Sequence, residues 1–105
     1  MLMRLSQYQI PHQSESFTLT LAKDRKYVGI WRKDRGMVIS IFLLVWENTE
    51  VPTEEVEFTI FAPGQIVDAS YINYVPVDKF LVKHDLIANV VFEKSKYLGK
   101  LSKSV

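Results

Sequence analysis

The chain contains no cysteine. Disulfides, thiolate metal sites and a cysteine nucleophile are therefore excluded, and a reducing compartment suits it. Histidine is nearly as scarce, with only His12 and His84. A metal site needs three or four ligands at a recognisable spacing, and no such spacing is evident, so no metal and no cofactor is expected. The glycines stand at positions 29, 36, 64 and 99, too far apart for a phosphate-cradling loop. No Gly-x-Ser-x-Gly elbow is present. No apolar run approaches the roughly 20 residues of a membrane span. Met1 to Leu5 is not followed by the apolar core of a secretion signal. These absences lead to the expectation of a cytoplasmic, intracellular protein with no membrane association and no enzymatic activity.

What is present is a β-rich composition. At 105 residues one domain is expected, 1–105, with 1–7 and 95–105 as frayed ends. Apolar residues make up 48%, enough for a globular core. The organising segment is Met37 to Trp46, in which every residue but Ser40 is apolar. β-Branched and aromatic types dominate it, and turn signals flank it at Asp34-Arg35-Gly36 and Asn48 to Pro52. It reads as a central strand; a buried helix is the competing reading. One face (Ile39, Ile41, Leu43) is expected in the core. The other (Val38, Phe42, Leu44) then needs a second cover, from a terminal segment, a helix or another subunit.

Around this strand the pattern is one of short alternating segments. Tyr8, Ile10 and Pro11 suit an edge strand. Phe17, Leu19 and Leu21 alternate with Ser16, Thr18 and Thr20. Ala22 to Lys26 reads as a charged turn. In Tyr27 to Arg32, Gly29 signals a bulge or a close backbone approach. Gly36 suits a tight hairpin, and Ala62-Pro63-Gly64-Gln65 a type II turn. Val56, Phe58 and Ile60 share a face. Ile66 to Ser70 reads as irregular with room for one helical turn. Tyr71 to Val75 reads as a short strand ended by Pro76, and Phe80 to Lys83 as a short extended segment. His84-Asp85 turns the chain into a last strand, Leu86 to Glu93, with Leu86, Ala88, Val90 and Phe92 facing one way. Lys94 to Val105 suits a short helix or a disordered tail. The expected fold is mainly all-β: an antiparallel sandwich or partly open barrel of six to seven strands, with a possible short C-terminal helix.

Charge is unevenly placed despite a net value of +1. From Arg4 to Arg35 there are seven basic and three acidic residues; from Glu47 to Asp68 there are six acidic and no basic ones. After Glu93 every charge is a lysine. Glu54-Glu55-x-Glu57 could pose paired carboxylates, but a charged, edge-protecting strand face is the simpler reading.

In order, Tyr8-Gln9-Ile10-Pro11, Phe17 to Leu21, Tyr27-Val28-Gly29-Ile30, Leu43 to Trp46, Glu54-Glu55, Phe58 to Phe61 with Gly64 and Ile66, Tyr71-Ile72 and Val90 to Glu93 form a pattern. Over residues 8 to 93 that pattern resembles a family of small, uncharacterised β-rich domains encoded by phages and prophages. The chain departs from it at Ala88-Asn89, where the family has an aromatic residue and histidine, and at Gly64-Gln65, where the family has Gly-His. Neither family histidine is present, so the resemblance transfers no site. It implies a small β fold and a viral or prophage origin, with a host cell as location, but no activity.

Two functional readings follow. The first is a non-enzymatic protein-binding module, an accessory or host-directed protein if phage-encoded. Its interface would be the second face of the central strand, Val38, Phe42, Leu44 and Trp46, with a homodimer as the simplest use. The alternative is a single-stranded nucleic-acid-binding domain. It would use Tyr27, Trp31, Arg32, Lys33 and Arg35 on one hairpin, helped by the lysine tail.

Overall fold

A computed structural model of the protein describes residues 1–82 and 87–94. Seven strands run in the order β1 (Met3–Ile10), β2 (Ser16–Ala22), β3 (Arg25–Arg35), β4 (Val38–Asn48), β5 (Thr53–Phe61), β6 (Val75–Val82) and β7 (Ile87–Glu93). They form two antiparallel sheets, one of three strands in the order β1-β4-β3 and one of four in the order β2-β5-β7-β6. The expected all-β sandwich is the fold. No helix among the described residues is long and apolar enough to cross a membrane.

The apolar run forms β4, at the centre of its sheet, with β1 on one edge and β3 on the other. Its odd-numbered residues Ile41, Leu43 and Val45 are fully buried. They meet Leu21, Val56, Phe58, Ile60, Phe80 and Val91 of the opposite sheet in one core. Strand alternation accounts for this: residues two apart share a face, so each strand gives every second side chain to the interior. Phe17 stacks on Phe58 at 5.1 Å, and Tyr27 meets the same ring edge-on at 6.1 Å.

The turns follow their chemistry. Gly36, at φ 60°, opens a two-residue turn between β3 and β4. Gly64 takes φ 85° at the third position of its turn, closed by Gln65 N–H donating to the Ala62 carbonyl at 3.2 Å.

Several expectations are corrected. Residues 3–7 are not frayed; they lie in β1, in unbroken register with β4 from Met3↔Asn48 to Ile10↔Ile41. The pairing strand supplies the order that their weak patterning does not show. Met37 belongs to the turn, not the strand. The charged turn after β2 is only Lys23-Asp24, since Arg25 already belongs to β3. Residues 71–73 lie in a 3₁₀ turn, Ala69–Asn73, capped by the Asp68 side chain accepting from Ser70 N–H. The strand follows it and contains Pro76, next to a bulge. Ala88, Val90 and Phe92 do share a face of β7, but the core side is Asn89 and Val91. His84, Asp85, Leu86 and the segment 95–105, with the expected turn, tail or helix, lie outside the described residues.

Candidate interaction surface

Among the described residues no second layer covers the outer face of the central strand, where Val38, Ser40, Phe42, Leu44 and Trp46 point away from the core. Val38 is 64% exposed and Trp46 41%, with Phe42 and Leu44 half-buried. All four residues expected to form an interface therefore share one outer face.

Pairing registers add neighbours to that face. On β1, Leu5 lies opposite Trp46, Gln7 opposite Leu44 and Gln9 opposite Phe42. On β3, Lys26 lies opposite Trp46, Trp31 opposite Phe42, Lys33 opposite Ser40 and Arg35 opposite Val38. Trp31 stacks on Phe42 with ring centroids 5.5 Å apart. Its indole N–H reaches over β4 to Gln7 Oε1 at 3.4 Å. The surface is thus a continuous apolar and aromatic patch. Both tryptophans of the chain lie on it. Every charged residue among its outward strand positions (Lys26, Lys33 and Arg35) is a cation.

The structure divides the aromatic and basic hairpin set between two faces. Trp31, Lys33 and Arg35 belong to the outer surface. Tyr27 and Arg32 do not, because each sits one residue out of phase with that set. Tyr27 pairs opposite buried Val45, and its hydroxyl accepts from Arg25 Nε at 3.0 Å. Burial pushes its phenol pKa well up. Arg32 forks onto Asp34 at 2.9 and 3.0 Å and also donates to the Leu81 carbonyl.

The Glu54-Glu55-x-Glu57 cluster is divided the same way. Glu55 and Glu57 are exposed on the far sheet, while Glu54 turns inward to Arg25 at 2.8 Å. Alternation sends Glu54 to the opposite face from Glu55 and Glu57, so the three carboxylates do not form one cluster. No three metal-ligating side chains converge among the described residues. His12 is exposed at the rim of an aliphatic cleft of about 400 Å³ that is also lined by Ser14, Ile39, Ala62, Val82 and Asn89.

Sequence reasoning did not single out three polar groups that hold the sheets together. Arg25, on β3, has a side chain only 10% exposed and donates to Glu54 of β5 and Glu93 of β7 at 2.8 and 2.5 Å. Burial works against its charge, but the bonds to Glu54, Tyr27 and Glu93 outweigh it and raise its pKa. Glu47, 2% exposed, accepts from the Tyr8 hydroxyl and, across the sandwich, from Ala22 N–H at 2.7 Å. Asp78 of β6 accepts from Ile30 N–H of β3 at 2.8 Å. The available signal was a charge set at an inward phase of an apolar strand, as in Val45-Trp46-Glu47.

No protein-family model, curated protein or solved structure matches the chain.

Proposed function

We propose that the protein is a non-enzymatic interaction module that docks a protein partner on the outer face of its three-stranded sheet. One observation carries this reading: Val38, Phe42, Leu44 and Trp46 lie together on an uncovered face, extended by Trp31 and Leu5. Contiguous apolar patches beyond a few hundred Å² mark interaction sites, and tryptophan is a frequent anchor in them. The cations at Lys26, Lys33 and Arg35 favour a partner with apolar contact groups in an acidic surround. A phage-encoded accessory or host-directed role rests on the sequence resemblance alone.

Selection from a random displayed-peptide library tests the reading, with Trp46→Lys and Leu44→Lys proteins for counter-selection. Enriched binders are expected to combine aromatic or aliphatic residues with Asp or Glu. Binders indifferent to both substitutions, or no enrichment, would refute it.

The all-cationic face also supports a second reading, single-stranded nucleic-acid binding through Trp31, Lys33 and Arg35. Stacking on exposed rings beside phosphate contacts is the physical basis. It predicts oligonucleotide binding that weakens steeply with salt. The stacking of Trp31 on Phe42 and the predominance of aliphatic groups favour the protein partner.

A further inference from the structure

We propose that two copies of this chain pair antiparallel along the outer edge of β1, joining their three-stranded sheets into one of six strands. The four strand edges at the margins of the two sheets differ in kind. Those of β3 and β6 turn toward each other and are tied by Ile30 N–H to Asp78 and by Arg32 to the Leu81 carbonyl. Both strands also carry a register break, at Tyr27/Gly29 and at Pro76/Asp78. Bulges and charges are common means of closing an edge to further pairing.

β1 has no bulge and little charge. Its register with β4 is unbroken over eight residues, it contains no proline, and Arg4 is its only charge. The Leu2 carbonyl accepts from Thr49 N–H, at the end of β4. Backbone polar groups alternate between the two edges of a strand. The even-numbered residues of β1 therefore address β4, and Met3, Leu5, Gln7 and Gln9 address the open edge. Among the described residues no strand pairs there.

The same four residues carry the side chains of the outer face. A strand added at this edge thus gains both backbone hydrogen bonds and contact with Met3 and Leu5, which are 40% and 50% exposed. The edge of β2 offers less, because its outward side chains include Ser16, Thr18 and Thr20, without a large apolar group.

A second copy fits the edge in charge as well as in backbone. A two-fold axis at Ser6 or Gln7 sets Arg4 opposite Tyr8 or Ile10, never opposite another arginine. Stacking two outer faces with β3 over β3 would instead bring Lys26, Lys33 and Arg35 against the same cations. Edge pairing leaves both outer faces open, side by side on one surface. The pairing rests on β1 alone and does not depend on what the outer face binds.

Sedimentation equilibrium over rising concentration, with amide hydrogen exchange, tests the proposal. The mass is expected to double from 12.2 kDa, with concentration-dependent protection at Met3, Leu5, Gln7 and Gln9. Gln7→Pro removes an outward N–H without touching the bonds to β4 and is expected to hold the chain monomeric. Gln9→Lys, which keeps the Gln7 contact to Trp31, is expected to do the same, and Leu44→Lys is expected to leave the dimer intact. A folded monomer at every concentration would overturn the proposal. So would a dimer that survives both edge variants, or one lost in Leu44→Lys.

Discussion

Gly29 and Asp78 meet where β3 and β6 close the sandwich: a Cβ on residue 29 would lie 3.1 Å from Asp78 Oδ2. The carboxylate holds the Ile30 N–H, and the glycine at the bulge makes room for it. The residue also has φ 155°, which side chains rarely adopt. Gly29→Ala is therefore expected to destabilise the fold by about 1–2 kcal/mol, from crowding and backbone strain together. Asp78→Ala leaves the amide without its acceptor and is expected to cost about 1–3 kcal/mol. Urea denaturation of both variants checks these values.

Arg25 spans the sandwich on the side chains of Glu54 and Glu93. Removing it leaves two carboxylates in a half-buried site without their shared cation. Arg25→Ala is expected to cost about 3–5 kcal/mol, read from the shift in denaturation midpoint. Arg25→Lys should recover only part of this, since an ammonium cannot fork to both acids and to the Ala22 carbonyl in the same way.

Glu47 should make stability fall in acid. Burial works to raise its pKa, but hydrogen bonds from Ser6, Tyr8 and the Ala22 amide, with the charge of Arg4, outweigh it and hold it below the usual carboxylate range. A folded-state pKa below the unfolded one gives stability that is complete above the unfolded value of about 4.3. That stability is lost as pH falls through the folded value. In Glu47→Gln this part of the acid dependence should disappear, at a cost near neutrality of about 1.5–3 kcal/mol. Thermal melts of both proteins across the acid range check it.

Both tryptophans lie on the outer face, so fluorescence excited selectively at tryptophan reports on that face alone. Beside Lys26, Lys33 and Arg35, quenching by iodide should exceed quenching by caesium at low salt. The difference should shrink as salt screens the cations. Trp31→Ala should destabilise modestly, by about 0.5–1.5 kcal/mol for the lost ring stack beyond its buried area. Equal quenching by the two ions would show that the cations do not dominate the local field.

The core elements were legible because alternation is a direct imprint of the pleat. Phe17-x-Leu19-x-Leu21 and Val56-x-Phe58-x-Ile60 face inward as their spacing requires. The place of β4 was legible from its length, composition and flanking turns. Its second face could be read only as needing a cover, because Phe42, Leu44 and Trp46 have the composition of a buried face; no described residue supplies that cover. Composition reports what a residue can bury against, not whether a layer is there. The hairpin set failed on phase: Tyr27 and Trp31 are close in sequence, but the bulge at Gly29 lies between them and their side chains leave on opposite faces. Arg25 and Glu47 escaped notice because their partners lie on distant strands, and only the folded sheet order brings those together.

The strand order also governs how the chain is made. Among the described residues β1 pairs only with β4, and β2 only with β5. On a ribosome β1 must wait until β2, β3, the hairpin turn at Gly36 and β4 have been synthesised before it can pair. Meanwhile β3 and β4 can zip together locally. Non-local pairings of this kind slow folding, so nascent chains should spend their vulnerable interval with β1 unprotected.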